Sequence, residues 1–201
     1  MAKKGLSYLL LSKYSSDGSK VTYSDAAVNE KMAEYSAEID ASDSNNLYLD
    51  DEIAETDGGT FQSGTLSLTT GDLSNNTAKL ILNIKEKEVQ YADGKTATEL
   101  IYDDDMASQE LGVGIIEAHQ VDGKTFYRAI MFARVMFNIP SGSATTKGET
   151  IEWQTQEISG KILRSAEVNE ENNHPWKFSS DFPNKPDAIE YLKFKSGGIT
   201  E

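Results

Sequence analysis

Two long strand-forming runs in the second half of the chain constrain its fold more than any other feature. Residues 111–121 and 125–138 are rich in β-branched and aromatic side chains, and Asp122-Gly123-Lys124 separates them. An Asp-Gly pair between two such runs is typical of the tight turn of a β-hairpin. The pattern predicts a long antiparallel hairpin, and with it a mainly β protein whose sheet has one face on a core and one on solvent.

Shorter runs of the same character lie on both sides of this hairpin. A second Asp-Gly pair, Asp93-Gly94, predicts another hairpin formed by residues 86–91 and 96–102. Alternation, or enrichment in β-branched and aromatic residues, predicts further strands at residues 7–12, 34–42, 65–70, 150–162 and 176–182.

Residues 34–42 show the alternation most clearly. Glu34, Glu38 and Asp40 share one face with two serines, and Tyr35 and Ile39 lie on the other face. A period of two with one apolar face is typical of a half-buried strand. We therefore expect a strand with an acidic outer face.

Helical signals are confined to two segments. Leu73, Leu80 and Ile84 fall on one stripe of a helix for which Asp72 or Ser74 is a suitable N-cap. Residues 185–194 form a short helix with Pro186 in its first turn. The polar segments at about residues 13–33 and 43–62 are expected to be long loops, apart from a short extended piece at 47–49.

Composition excludes several classes of function. The chain has 201 residues, no cysteine and a net charge of −14, with the acidic residues concentrated in the first half. Without cysteine there are no disulfides and no thiolate-bound metals. An acidic surface does not bind nucleic acid, because binding needs cations that neutralise phosphates. No apolar run is long enough for a membrane span or a signal peptide, so we expect no membrane partner and synthesis in a cytoplasm.

Residues that carry catalysis are scarce. His119 falls in a predicted strand, His174 falls in a polar loop, and no Gly-x-Ser-x-Gly motif is present. Gly112-Val113-Gly114 leads into a strand and not a helix, so close packing or a bulge explains it better than a dinucleotide site. We expect no catalytic residue, no cofactor and no enzymatic activity.

Two acidic clusters offer oxygen ligands of the kind that calcium prefers. They are Asp50-Asp51-Glu52 and Asp103-Asp104-Asp105. Neither has the glycine and the distal glutamate of an EF-hand loop. We therefore interpret both clusters as charged loops and predict no metal site.

The order of features along residues 5–195 is more informative than any single motif. Phe61-Gln62-Ser63-Gly64-Thr65-Leu66-Ser67-Leu68 precedes the helix that begins near Asp72, and residues 103–114 precede a strand in which isoleucines lead to a glutamate. Thr125-Phe126-Tyr127-Arg128-Ala129 opens the long apolar run, and Glu157-Ile158-Ser159-Gly160-Lys161-Ile162 closes the set. This ordered set resembles the major tail tube protein of long flexible-tailed (siphovirus-type) bacteriophages.

The resemblance implies a mainly β fold of two packed antiparallel sheets, sandwich-like or barrel-like, with one flanking helix and a short C-terminal helix. It implies one domain, residues 1–201, with an N-terminal arm, a C-terminal extension at about 183–201 and long loops that contact neighbouring subunits. By the same resemblance, the subunits are expected to form hexameric rings that stack into a hollow tube around a tape measure protein. Tail terminator and distal tail proteins are expected as further partners, and DNA is expected to pass through the lumen without specific binding. The expected location is the virion tail.

Strands with a polar exposed face are the candidates for the channel wall of such a tube. One group is Glu34, Glu38 and Asp40, and the other is Glu152, Gln154 and Gln156. Carboxylates on the wall repel phosphates, so DNA slides along it without sticking.

Three other interpretations of the sequence stay open. A carbohydrate- or receptor-binding β-sandwich would use Trp153, Trp176 and Tyr191 as a stacking platform. Another virion head-tail assembly protein fits the same composition, and a hydrolase that uses the acidic loops is the weakest alternative. Phe132, Phe137 and Trp153 are expected in the core.

Overall fold

A computed structural model describes residues 2–28, 31–43, 45–49, 52–71, 73–140 and 155–198. Within these residues the chain forms twelve β-strands and two α-helices, so the expectation of a mainly β protein with two minor helices is confirmed. The strands in the first half are Ala2–Asp17 (β1), Lys20–Val28 (β2), Met32–Ala41 (β3), Asn45–Leu49 (β4), Glu52–Asp57 (β5), Phe61–Thr70 (β6), Lys85–Ala92 (β7) and Lys95–Ile101 (β8). The strands in the second half are Glu110–Val121 (β9), Lys124–Phe137 (β10), Gln156–Leu163 (β11) and Lys177–Phe182 (β12). The helices are Asn75–Leu82 (α1) and Lys185–Lys195 (α2).

Eight of the strands form one antiparallel sheet. Their order is β2-β1-β9-β10-β11-β6-β3, and β12 pairs with the first half of β10 beside this path. The hairpins β4–β5 and β7–β8 are separate two-stranded sheets. Both predicted Asp-Gly turns are confirmed, with Gly94 and Gly123 at φ values of 67° and 78° that suit glycine.

The large sheet curves until its last strand, β3, lies beside β1 near the other end of the path. The inner face encloses the main core, to which β1, β6, β9, β10 and β11 contribute buried leucine, isoleucine, valine and phenylalanine side chains. The expected packing of two sheets is thus achieved by one continuous, barrel-like sheet. Phe132 and Phe137 are both 1% exposed, which confirms them as core residues.

The two helices cover different parts of this sheet. Ser74 caps α1 by accepting a hydrogen bond from the backbone amide of Thr77, and Ile81 and Leu82 of α1 join the main core. Helix α2 begins after the N-cap Asn184, and its residue Leu192 packs on the outer face of β1, β9 and β10 in a second cluster. The sequence predicted both helices, and both are confirmed.

The segments expected as long loops are largely strands. In residues 13–33, β1 continues to Asp17 and pairs with β2 across a turn at Gly18, and in residues 43–62 β4 pairs with β5. Most side chains of β2 are exposed or half-buried. Because such a hairpin has little buried face, its sequence lacks the apolar alternation that reveals a strand.

Strand β3 has the predicted position but less burial than its pattern indicates. Tyr35 is half-buried, whereas Ala37, Ile39 and Ala41 on the same side are exposed, Ile39 by 42%. The reason is that β3 is the terminal strand of the sheet path and extends past the main core. An apolar stripe on an edge strand therefore faces solvent in the single chain.

Glycines allow close approach at three points of the large sheet. Gly112 lies against the side chains of Tyr23 and Met131, and Gly114 lies against Leu192 of α2, which confirms the interpretation of Gly112-Val113-Gly114 as close packing. Gly64 of β6 lies against the backbone of β3, where an added Cβ would be 2.7 Å from the carbonyl oxygen of Glu38.

Replacing Gly64 with alanine should lower the free energy of unfolding by about 1–3 kcal/mol, because the methyl group meets backbone that cannot move without breaking the β3–β6 ladder. The matched control is Gly5→Ala in β1, where an added Cβ meets nothing within 4 Å. Urea unfolding of the two variants measures the difference. Equal stabilities would contradict the close approach.

Candidate functional site

The outward face of β3, β6 and β11 is a continuous polar surface. Cross-strand partners point to the same side of a sheet, so each register position adds a row to this surface. One row is Glu34, Thr69 and Glu157, the next is Ser36, Ser67 and Ser159, and the third is Glu38, Thr65 and Lys161. Asp40 and Ser63 form a fourth row. We call these eleven residues the acidic face.

Carboxylates dominate the charge of the acidic face. Glu34, Glu38, Asp40 and Glu157 are all exposed, and Lys161 is the one basic residue among the eleven. The remaining residues are serines and threonines, whose side chains are short. Asp40 accepts a hydrogen bond of 3.1 Å from the hydroxyl of Ser63. The result is a negatively charged, solvated surface without bulky apolar side chains.

The structure brings together one of the two predicted groups of channel residues. Glu34, Glu38 and Asp40 share the acidic face, as the alternation predicted. Gln156 pairs with the buried Thr70 and is half-buried on the opposite, core-facing side of β11, so it is not part of this surface. Glu152 and Gln154 lie outside the described residues.

The sheet ends in two strands that each pair on one side. Strand β2 pairs with β1 and strand β3 pairs with β6, and neither has a second strand partner among the described residues. Val28 of β2 and Ile39 of β3 are exposed by 51% and 42%. Unpaired backbone groups with nearby apolar side chains are what a further strand requires for pairing.

A buried cluster of charged and polar residues closes one end of the barrel. Along β9, Ile115, Glu117 and His119 point to the interior, and Glu117 and His119 are each 3% exposed. One carboxylate oxygen of Glu117 accepts hydrogen bonds from the Tyr35 hydroxyl and from Lys3 Nζ, the latter at 2.5 Å. The other oxygen lies 2.8 Å from His119 Nε2, which donates because an ionised carboxylate only accepts.

Two more pairs surround this cluster. The His119 ring stacks on Phe126 with 5.2 Å between ring centroids. Arg128, the cross-strand partner of Glu117, binds both carboxylate oxygens of Asp181 in β12 at 2.7 and 2.8 Å. The bidentate bond holds the pKa of Asp181 below its ordinary value.

The pKa of Glu117 reflects two opposing effects. Burial alone raises it, but hydrogen bonds from Lys3, Tyr35 and His119 outweigh burial and hold it below the ordinary 4.5. The pKa of Tyr35 is raised, first by burial and then by its bond to Glu117. At neutral pH the cluster therefore contains an ionised glutamate and a neutral tyrosine.

This cluster was not predicted from the sequence. A signal was present, because alternation along residues 111–119 places Glu117 and His119 on the same face as Val113 and Ile115. A carboxylate that continues the apolar face of a long strand is buried, and a buried carboxylate needs donors. The donors on Lys3 and Tyr35 are far away in sequence, so no local pattern reveals them.

The remaining candidates for chemistry have structural roles. His174 Nδ1 lies 3.0 Å from the carbonyl oxygen of Ser165. Asp103 and Asp105 both accept hydrogen bonds from Lys85 Nζ, at 2.9 and 2.6 Å. Among the described residues, no group of three or more histidine, aspartate and glutamate side chains is arranged to hold a metal ion.

The aromatic residues of the carbohydrate-binding alternative do not form one platform. Trp176 stacks on Phe61 with 4.6 Å between centroids and packs against the main core. Tyr191 packs against Phe182 in the second cluster, on the other side of the sheet. Trp153 lies outside the described residues.

Comparison with known proteins leaves the family of this chain open. No family model matches it. No curated protein matches it significantly either. Neither helix in the described part of the chain combines the length and the apolar character that a membrane crossing requires.

Charge reversal on the acidic face should leave the fold intact. Glu38 and Asp40 are exposed, so Glu38→Lys with Asp40→Lys should change the free energy of unfolding by no more than about 0.5 kcal/mol for each substitution. Thermal or urea unfolding of the isolated subunit measures this. A larger loss would mean that these carboxylates hold the subunit together.

Proposed function

We propose that this chain is the structural subunit of a bacteriophage tail tube, assembled as hexameric rings that stack around a tape measure protein. The observation that carries the proposal is the acidic face, a solvated negative surface built on an edge strand of a curved antiparallel sheet. The ordered sequence features that resemble the tail tube family support the same conclusion.

The chemistry of the acidic face suits the wall of a channel that conducts DNA. DNA carries one negative charge for about every 1.7 Å of helix axis, and proteins that hold it supply lysine and arginine to its phosphates. Glu34, Glu38, Asp40 and Glu157 supply the opposite charge. A wall of carboxylates and short hydroxyl side chains keeps DNA at a distance and offers it no binding site.

The free edges of β2 and β3 suit assembly into a ring. A ring needs a heterologous contact, in which one surface of a subunit meets a different surface of its neighbour. Strands β2 and β3 lie at opposite ends of the sheet path and are such a pair of different surfaces. Pairing of β3 with β2 of the next subunit would continue the sheet and cover the exposed Ile39 and Val28.

The proposal includes no enzymatic activity and no cofactor. The partners are further copies of the chain, the tape measure protein, and the tail terminator and distal tail proteins at the two ends of the tube. Assembly takes place in the host cytoplasm, and the product is part of the virion.

Concentrated wild-type protein should form rings or tubes in negative-stain electron microscopy, and Ile39→Lys should abolish them. A lysine on an edge strand opposes strand pairing. Because Ile39 is 42% exposed, the subunit should still fold with lysine at this position. Ile139→Lys is the matched control, since Ile139 is 64% exposed and lies outside both edge strands. A wild-type protein that stays monomeric at every concentration and salt would contradict the proposal.

The double substitution Glu38→Lys and Asp40→Lys should slow DNA ejection from assembled virions, because lysines on the wall bind phosphates. DNA release over time measures the effect, and the slowing should decrease as salt increases. A control that replaces two exposed carboxylates away from this face, Glu88→Lys with Glu99→Lys, should eject at the wild-type rate. An unchanged ejection rate in the test variant would show that β3 does not line the channel.

A further inference from the structure

The two strands that meet where the curved sheet closes are held together by side chains. Strand β3 pairs with β6, and β1 pairs with β2 and β9, so no backbone ladder joins β3 to β1 among the described residues. One link between them is the Glu117 carboxylate on β9, which accepts hydrogen bonds from Lys3 at one end of β1 and from Tyr35 near the start of β3. We call this contact between Lys3, Tyr35 and Glu117 the seam.

The surroundings of the seam are suited to opening. A cavity of about 270 Å³ lies between the two strands, lined by Lys3, Gly5 and Leu6 from β1, by Ala33, Glu34 and Tyr35 from β3, and by Glu117. Lys3 Nζ lies 5.4 Å from the centre of the Tyr35 ring, and its side chain is 67% exposed. Lys3 is thus free to leave the seam for water once Glu117 no longer attracts it.

We propose that Glu117 is an acid-sensitive latch that keeps the seam between β1 and β3 closed. The ionised carboxylate accepts from Lys3, Tyr35 and His119 at once, and it does so from a nearly fully buried position. Protonation removes the charge that Lys3 binds and turns one acceptor oxygen into a donor. The protonated group is a weaker acceptor for all three donors and no longer attracts Lys3 as a charge, so the seam loses the interaction that holds it closed.

Several titratable or permanently charged groups surround Glu117. The nitrogen bases and cations are Lys3 on β1, His119 on β9 and Arg128 on β10. The carboxylates are Glu34 on β3 and Asp181 on β12, and the neutral Tyr35 also lies on β3. The pKa of Glu117 is below 4.5 in the folded chain. Its contribution to stability is therefore present above about pH 4.5 and is lost as pH falls through the lower folded pKa.

The consequence for assembly depends on the function proposed above. The seam fixes the first half of β3, the edge strand on which a neighbouring subunit would pair. An open seam leaves this edge without a fixed position and so disfavours pairing.

The absence of cysteine from the chain allows a direct measurement on the isolated subunit. Spin labels on Lys4→Cys in β1 and Glu38→Cys in β3 lie on the two sides of the seam and report the distance between the strands. At about pH 7 the distance distribution should be narrow, and it should broaden and move to longer distances as the pH falls through the folded pKa of Glu117, which lies below 4.5. Glu117→Gln, which removes the charge at constant size, should give the broad distribution already at about pH 7.

The matched control is Glu110→Gln, on the same strand. Glu110 is also ion-paired, with Arg134 of β10 at 2.5 Å, and it lies at the start of β9, seven residues before Glu117. The Glu110→Gln variant should keep the narrow distribution of label distances at about pH 7. Equal distributions for Glu117→Gln and wild type at that pH, or equal broadening in Glu110→Gln, would overturn the proposal.

A second variant keeps the test decisive if Glu117→Gln does not fold. Tyr35→Phe keeps the ring beside Lys3 and removes the hydroxyl donor, a loss worth about tenfold in the closed-to-open ratio. It should broaden the distribution at about pH 7, and an unchanged distribution would overturn the latch. Because no ring or tube is involved, this outcome is independent of whether the tail tube proposal holds.

Discussion

Strand β10 is the element on which the rest of the structure depends. One edge of β10 pairs with β9 along most of its length. The other edge pairs first with β12, over Tyr127–Phe132, and then with β11, over Arg134–Phe137. Alternate residues also face different cores. Ile130 and Phe132 point into the barrel, and Ala129 and Met131 point to the second cluster beneath α2. Strand β10 therefore contributes side chains to both cores and joins β9 to β11 in the middle of the sheet path.

The curvature that encloses the main core also creates its weakest boundary. A sheet that turns back on itself without full backbone closure leaves two strands side by side with no ladder between them, and here these are β1 and β3. Apolar side chains fill the interior as far as Ile115, and a charged cluster takes over at Glu117. Because a buried carboxylate is stable only with donors, the end of the core and the closure of the sheet depend on the same hydrogen bonds.

The outer face of the sheet divides into two surfaces with different roles. Helix α2 covers β1, β9 and β10, and the acidic face on β3, β6 and β11 stays in water. Alternation along residues 34–42 was sufficient to predict that Glu34, Glu38 and Asp40 share a side. It was not sufficient for Gln156, because the side to which a strand turns depends on its register with neighbours, and Gln156 pairs with the buried Thr70.

The sequence by itself determined the class of the fold, both Asp-Gly hairpins, both helices and the faces of β3, since these follow from local periodicity, turn residues and caps. It did not reveal the hairpins β1–β2 and β4–β5. A hairpin with little buried surface does not need alternating apolar residues, so its sequence lacks the pattern that identifies a strand. Only the tertiary structure decided that the large sheet turns back on itself without a closing ladder, that β2 and β3 lie at the two ends of its path, and that Lys3 and Tyr35 meet at Glu117. These contacts join residues up to 114 positions apart, and no local pattern specifies which distant donor a buried carboxylate finds.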